Sequence, residues 1–152
     1  MKISEILDKD SIIDDLKETD KPGIINELSR AVAGPRTGTF EDISRVLTER
    51  EQLGSTGIGG GIAIPHGKLK TVESVTVGFG LSRAGVEYDS LDSKPVHIFF
   101  LLLTPENSTG GHLKVLAQIS KLLKRDDFKQ GLKSAKSAED IFTLIEAQDE
   151  EF

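Results

Sequence analysis

Apolar residues recur along this chain with different periods, and each period predicts an element. Ile3, Ile6 and Leu7 form a short amphipathic opening. Asp20 followed by Lys21 and Pro22 has the form of a helix N-cap with proline in the first turn. Ile24, Ile25, Leu28 and Val32 then supply a buried stripe as far as Gly34. In TFEDISRVLTEREQL, Thr39 and Asp42 stand three apart as in a capping box, and Ile43, Val46 and Leu47 give a second helical face that ends near Gly54.

The period then changes. IAI, residues 62 to 64, reads as a short strand, VTVGFGLS from 75 alternates, and VHIFFLLL from 96 is apolar throughout, as in a strand covered on both faces. Helical spacing returns from His112, with Leu113, Leu116, Ile119, Leu122 and Leu123 on one face. A last helix starts at Ser137, capped with Asp140, and buries Ile141, Leu144 and Ile145. Helices on both sides of a strand block predict a three-layer α/β/α sandwich with a small mixed or largely parallel sheet, forming a single domain over 1–152.

Composition narrows the class. A hydrophobic content of 37% and a charged content of 29% are globular values, and no apolar run approaches the roughly 20 residues that cross a bilayer. The N-terminal MKISEILDKDS lacks the form of a signal peptide, so a cytoplasmic address without membrane insertion is expected. Zero cysteines exclude disulfides and thiolate metal sites. A net charge of -6 disfavours nucleic acid and favours a basic partner.

The candidate chemistry lies in GIGGGIAIPHG, residues 57 to 67, where five glycines and a proline surround His66. A phosphate-binding loop is excluded, because Gly61 stands at the wrong spacing from Gly67-Lys68 and Leu69 occupies the Ser/Thr position. A dinucleotide fingerprint fails where glycine is required, since positions 62 and 64 are both isoleucine. Three histidines, 66, 97 and 112, make a weak zinc case without cysteine, and a G-x-S-x-G nucleophile elbow is absent. What remains is a histidine in a rigid, exposed bend at the carboxyl end of a short strand. Gly59 to Gly61 allow close backbone approach, Pro65 fixes its own φ, and Gly67 is free to take a positive φ. A tight turn carrying a solvated or core-capping histidine is the alternative reading of the same residues.

REQLGSTGIGGGIAIPHGKL, residues 50 to 69, with VHIFFLLLTPENSTGGHLKVLAQISKLL, residues 96 to 123, resembles the fructose/mannitol-type enzyme IIA domains of the bacterial sugar phosphotransferase system. The likeness runs from ISEIL near the N-terminus to the SAEDIF helix, and LGSTGIG looks most like the nitrogen-related branch. The resemblance implies that His66 is the phosphoacceptor, taking a phosphoryl group on Nε2 from HPr or the related NPr. It likewise implies that His112 is the second active-site histidine and that Arg50 lines the same site. Gly110-Gly111 directly before His112 is a departure that would loosen that side chain.

Elementary chemistry is compatible with these roles. A nucleophilic imidazole must be neutral, and phosphoryl transfer through a loose in-line transition state asks mainly for positioning and for stabilisation of equatorial charge. The planar fork of Arg50 suits that task, and a residue where a helix begins lies near main-chain N–H groups that attract anions. Taken singly, Arg50 reads as a solvated residue in a last helical turn and His112 as a first-turn surface residue. His97, in an apolar strand, reads as structural. Lys68 and Lys70 carry no assignment. The expected function is that of a phosphocarrier without metal or organic cofactor, serving regulated target proteins. A stand-alone fructose or mannitol component feeding a IIB protein is the alternative, and an interaction module without phosphate chemistry is a third class.

Overall fold

The computed structural model describes residues 1–152, apart from the side chain of Thr109. Its elements are α1 (Ile3–Ile6), β1 (Leu7–Ile13), α2 (Lys21–Val32), α3 (Phe40–Gln52), β2 (Gly57–Gly59), β3 (Ile62–Ala63) and β4 (His66–Leu69). The chain continues through β5 (Thr76–Val86), β6 (Val96–Pro105), α4 (Thr109–Leu123), α5 (Asp126–Ser134) and α6 (Ala138–Gln148). The strands form one mixed sheet in the order β1-β5-β6-β3-β2, with β4 also pairing β6. β5 is antiparallel to β6, while β3 and β4 both run parallel to it.

The unbroken apolar run of β6 follows from its central place. Ile98, Phe100 and Leu102 face one core, Phe99, Leu101 and Leu103 face the other, and all six are fully buried. On one side of the sheet α2 and α3 contribute Ile24, Ile25, Leu28, Ile43 and Leu47. On the other side α1, α4, α5 and α6 contribute residues including Ile3, Val115, Ile119, Phe128 and Ile141. This is the expected three-layer arrangement. The helix starts also follow the sequence: Asp20, Thr39 and Ser137 each accept a main-chain N–H three residues on, from Gly23, Asp42 and Asp140.

Three elements depart from the expected pattern. The amphipathic opening is a single helical turn that passes at once into β1, whose exposed Asp8, Lys9 and Asp10 and shifted register before Ile12 hide the strand period. α5 was not expected; it rests on two apolar anchors one turn apart, Phe128 and Leu132. α4 begins at Thr109 rather than His112. Its buried row is His112, Val115, Ile119 and Leu122, which leaves Leu113 60% exposed, not buried as its spacing implied. Among the described residues no helix is long and apolar enough to cross a membrane.

Candidate active site

β3 and β4 are successive pieces of chain laid along the same strand. Ile62 and Ala63 pair with Ile98 and Phe99, and His66 then pairs with Leu102. Between them Pro65 has no N–H to give, and its carbonyl accepts the N–H of Leu102 at 3.0 Å. Gly59, Gly60 and Gly61 turn the chain from β2 into β3 at φ of 97°, 69° and 80°, a region in which a Cβ is strained. Gly67 is different from what its position implied, because its φ is not positive. A Cβ there would lie 2.5 Å from Val46 Cγ1, so glycine is needed for α3 to approach β4.

That approach brings Arg50, in the last turn of α3, to His66. Arg50 Nε donates to His66 Nε2 at 3.3 Å, and Arg50 Nη1 donates to the carbonyl of Gly54 at 2.9 Å. On the opposite edge of the ring His66 Nδ1 meets the carbonyl of Ile64 at 2.8 Å. A carbonyl can only accept, so Nδ1 carries the proton and the lone pair is on Nε2. Burial, supported by the positive charge of Arg50 and opposed by the Ile64 carbonyl and Glu51, lowers the pKa of His66 from its ordinary value. The ring is therefore neutral near pH 7.

His112 reaches the same place from the other face of the sheet. Its ring stands edge-on to His66 with centroids 5.2 Å apart, and its Nδ1 is 2.9 Å from Thr104 Oγ1. Burial, then the neighbouring charges of His66 and Lys68, push its pKa down to about 4. The first-turn surface reading is thus corrected: His112 is 7% exposed and its N–H is already bonded to the carbonyl of Ser108. Of the two glycines before it, a Cβ at Gly110 would meet nothing within 4 Å, and one at Gly111 would lie 2.8 Å from Ser108 Oγ.

Arg50, His66 and His112 line one open cleft of about 670 Å³, with Val46, Leu53 and Lys68 in its walls. His97 is not part of it; at the other end of β6 it gives Nδ1–H to the carbonyl of Ser82 at 2.8 Å. Lys70 is exposed at the end of β4 and does not line the cleft. Among the described residues no group of three His, Cys, Asp or Glu side chains is placed to hold a metal ion. Sequence reasoning left Lys68 unassigned and missed Thr104. The signal for the latter is a hydroxyl residue closing an otherwise apolar strand eight residues before His112. The Ile64 carbonyl has no sequence signal, because every residue carries one. Chemically the cleft offers a neutral nucleophilic nitrogen flanked by a guanidinium and a second imidazole, which suits attack on an electrophile bearing negative charge.

Comparison with known proteins gives a consistent picture. Residues 5–148 match the family model described as phosphoenolpyruvate-dependent sugar phosphotransferase system, EIIA 2. A nitrogen regulatory protein of Bradyrhizobium diazoefficiens is 36% identical over 146 residues, covering 95% of either chain. The fructose-specific EIIABC component of Bacillus subtilis is 35% identical over 98% of this chain, which spans only 24% of that longer protein. The crystal structure of nitrogen regulatory protein IIA-Ntr from Neisseria meningitidis superposes with a TM-score of 0.88 at 35% identity, covering 94% of this chain and 98% of that one.

Proposed function

Because the chain belongs to the EIIA 2 family of the phosphoenolpyruvate-dependent sugar phosphotransferase system, we propose that it is a cytoplasmic phosphocarrier whose His66 accepts a phosphoryl group from phospho-HPr or phospho-NPr. The observation that carries this reading is the pair of contacts on the imidazole: Nδ1–H is held by Ile64, and Nε2 faces Arg50 beside His112.

In the proposed step the Nε2 lone pair attacks phosphorus in line as the bond to the donor's imidazole breaks, and the electron pair of that bond leaves with the donor. The proton stays on Nδ1, donated to the Ile64 carbonyl, throughout, so no base is needed at His66. Arg50 Nε–H, now on the ring nitrogen, turns to an equatorial phosphoryl oxygen as Nε2 becomes bonded. If the Thr104 hydroxyl donates to His112 Nδ1, the Nε2–H of His112 is a second, neutral donor to the same group. Family members are phosphotransfer components, so the chain is read as one component of a relay.

The nitrogen-related subtype is supported by the LGSTGIG wording and by the likeness to nitrogen regulatory proteins over nearly their full length. Regulated target proteins are then the recipients of its phosphorylation state. The match to a fructose-specific component supports the second reading, transfer to a IIB protein for sugar uptake. The direct test is incubation with enzyme I, an HPr-type carrier and phosphoenolpyruvate, followed by intact mass measurement. One acid-labile, base-stable phosphoryl group is expected; an unchanged mass overturns the phosphocarrier reading in favour of a module without phosphate chemistry.

A further inference from the structure

Arg50 and Glu51 are adjacent in the last turn of α3, and the helix sends them to opposite sides. Arg50 enters the cleft, whereas the Glu51 side chain is only 4% exposed. A carboxylate so buried needs partners. It accepts the N–H of Thr56 at 3.0 Å, the hydroxyl of the same residue, and an ion pair from Lys21 Nζ at 3.1 Å. Lys21 lies over the ring of Tyr88, whose hydroxyl is 3.4 Å from Thr56 Oγ1. Burial and the Glu51 charge raise the pKa of that tyrosine, which keeps it a phenol.

The contacts do not stop at Thr56. Its carbonyl accepts the N–H of Ile64 at 3.0 Å, and the carbonyl of Ile64 accepts His66 Nδ1–H at 2.8 Å. Three hydrogen bonds therefore run in one direction, from the imidazole through Ile64 and Thr56 to a fixed negative charge. The N–H and carbonyl of Ile64 belong to different peptide groups, as do those of Thr56, so the link acts through position: the buried carboxylate fixes Thr56, and Thr56 fixes the segment that presents the Ile64 carbonyl. Two contacts fix which nitrogen of His66 carries the proton, the Ile64 carbonyl at Nδ1 and the Arg50 Nε–H at Nε2, and the first lies on a segment that Glu51 holds through Thr56.

We propose that Glu51 is a positioning residue for His66, acting through the Thr56 and Ile64 main chain to hold the imidazole as the Nδ1–H form with Nε2 free to react. This deepens the reading of His66 as the acceptor and rests on it for its consequence, although the structural effect does not. Carboxylates that orient a histidine by direct contact are a common device; here two intervening residues carry the link.

The test uses the unphosphorylated, full-length chain. Nitrogen-15 chemical shifts of the His66 ring report which nitrogen is protonated, in wild type, in Glu51→Gln and in Thr56→Val. Glu51→Gln keeps the shape and removes the charge. Thr56→Val removes the hydroxyl contact to Glu51 but leaves the main-chain link, so it serves as a control for loss of stability alone. Glu51→Gln is expected to raise the population of the Nε2–H form several-fold and to slow single-turnover phosphoryl transfer by about 10-fold, while Thr56→Val leaves both within about twofold. An unchanged His66 spectrum in Glu51→Gln, or an equal change in Thr56→Val, would reduce Glu51 to a stabiliser of the fold and overturn the proposal. A shifted spectrum in a chain that takes up no phosphoryl group would instead leave the positioning role standing and remove the phosphocarrier reading.

Discussion

His66 and His97 make the same first contact. Each is half-buried on the sheet, and each gives Nδ1–H to a main-chain carbonyl at 2.8 Å, that of Ile64 in one case and of Ser82 in the other. Since His66 stands opposite Leu102, the two lie five residues of β6 apart, roughly 16 Å along the strand. Their other edges differ. His66 Nε2 faces Arg50 at 3.3 Å with His112 edge-on beside it. The ring of His97 packs over Gly85, where a Cβ would lie 3.2 Å from Cε1 and 3.3 Å from Nε2. The same anchor at Nδ1 therefore leaves the two rings in different surroundings. What distinguishes the His66 end is that α3 from one face of the sheet arrives there with its last turn, and α4 from the other face departs from there with its first.

The largest expected effect separates the two histidines outright. His66→Ala should abolish phosphorylation by the HPr-type donor, whereas His97→Ala should leave the transfer rate within about twofold, the difference being read by mass and by single-turnover kinetics. Labelling that persists without His66, or that disappears without His97, would break the comparison.

Removing a neighbour of His66 should slow transfer without ending it. For Arg50→Ala and His112→Ala a loss of roughly 10- to 1000-fold is expected, with Arg50→Lys between wild type and Arg50→Ala because it keeps the charge and loses the planar fork. Wild-type rates in both alanine variants would make His66 no better equipped than His97. The burial of His112 and its bond to Thr104 add a second consequence, a loss of about 1–2 kcal/mol of folding stability in His112→Ala.

A further effect concerns pH. With a folded pKa near 4 and an ordinary value of 6.5, His112 binds fewer protons folded than unfolded between these limits. Its contribution to stability is complete above pH 6.5, declines as the pH falls towards 4 and levels off below. Thermal melts of wild type should therefore drop more steeply over this window than those of His112→Gln. Parallel curves would mean that the imidazole is not held neutral by its surroundings.

The sequence carried the parts of this account that repeat with a period or sit at a chain end. The caps at Asp20, Thr39 and Ser137 and the two-faced burial of β6 were legible because each is dictated within a few residues. β1 was not, since three consecutive exposed residues and a register shift erase its alternation. α5 was not, since Phe128 and Leu132 alone make too short a stripe. Within the site, the glycines and Pro65 singled out His66 by composition. Arg50, sixteen residues before it, and His112, forty-six after it, could be joined to it only through the family resemblance, because their proximity is created by packing α3 and α4 on opposite faces of the sheet. The role of Gly67 was misread for the same reason: its constraint comes from Val46 on another element, not from its own backbone.

The central claim is that the lone pair on His66 Nε2 is the one that receives the phosphoryl group. The most direct measurement is phosphorus-31 and nitrogen-15 NMR of the chain after phosphorylation by enzyme I and an HPr-type carrier. The account predicts a single phosphohistidine at His66, bonded through Nε2, with the proton still on Nδ1 and donated to the carbonyl of Ile64. A phosphoryl group on Nδ1 of His66, on His112 or on His97 would contradict it.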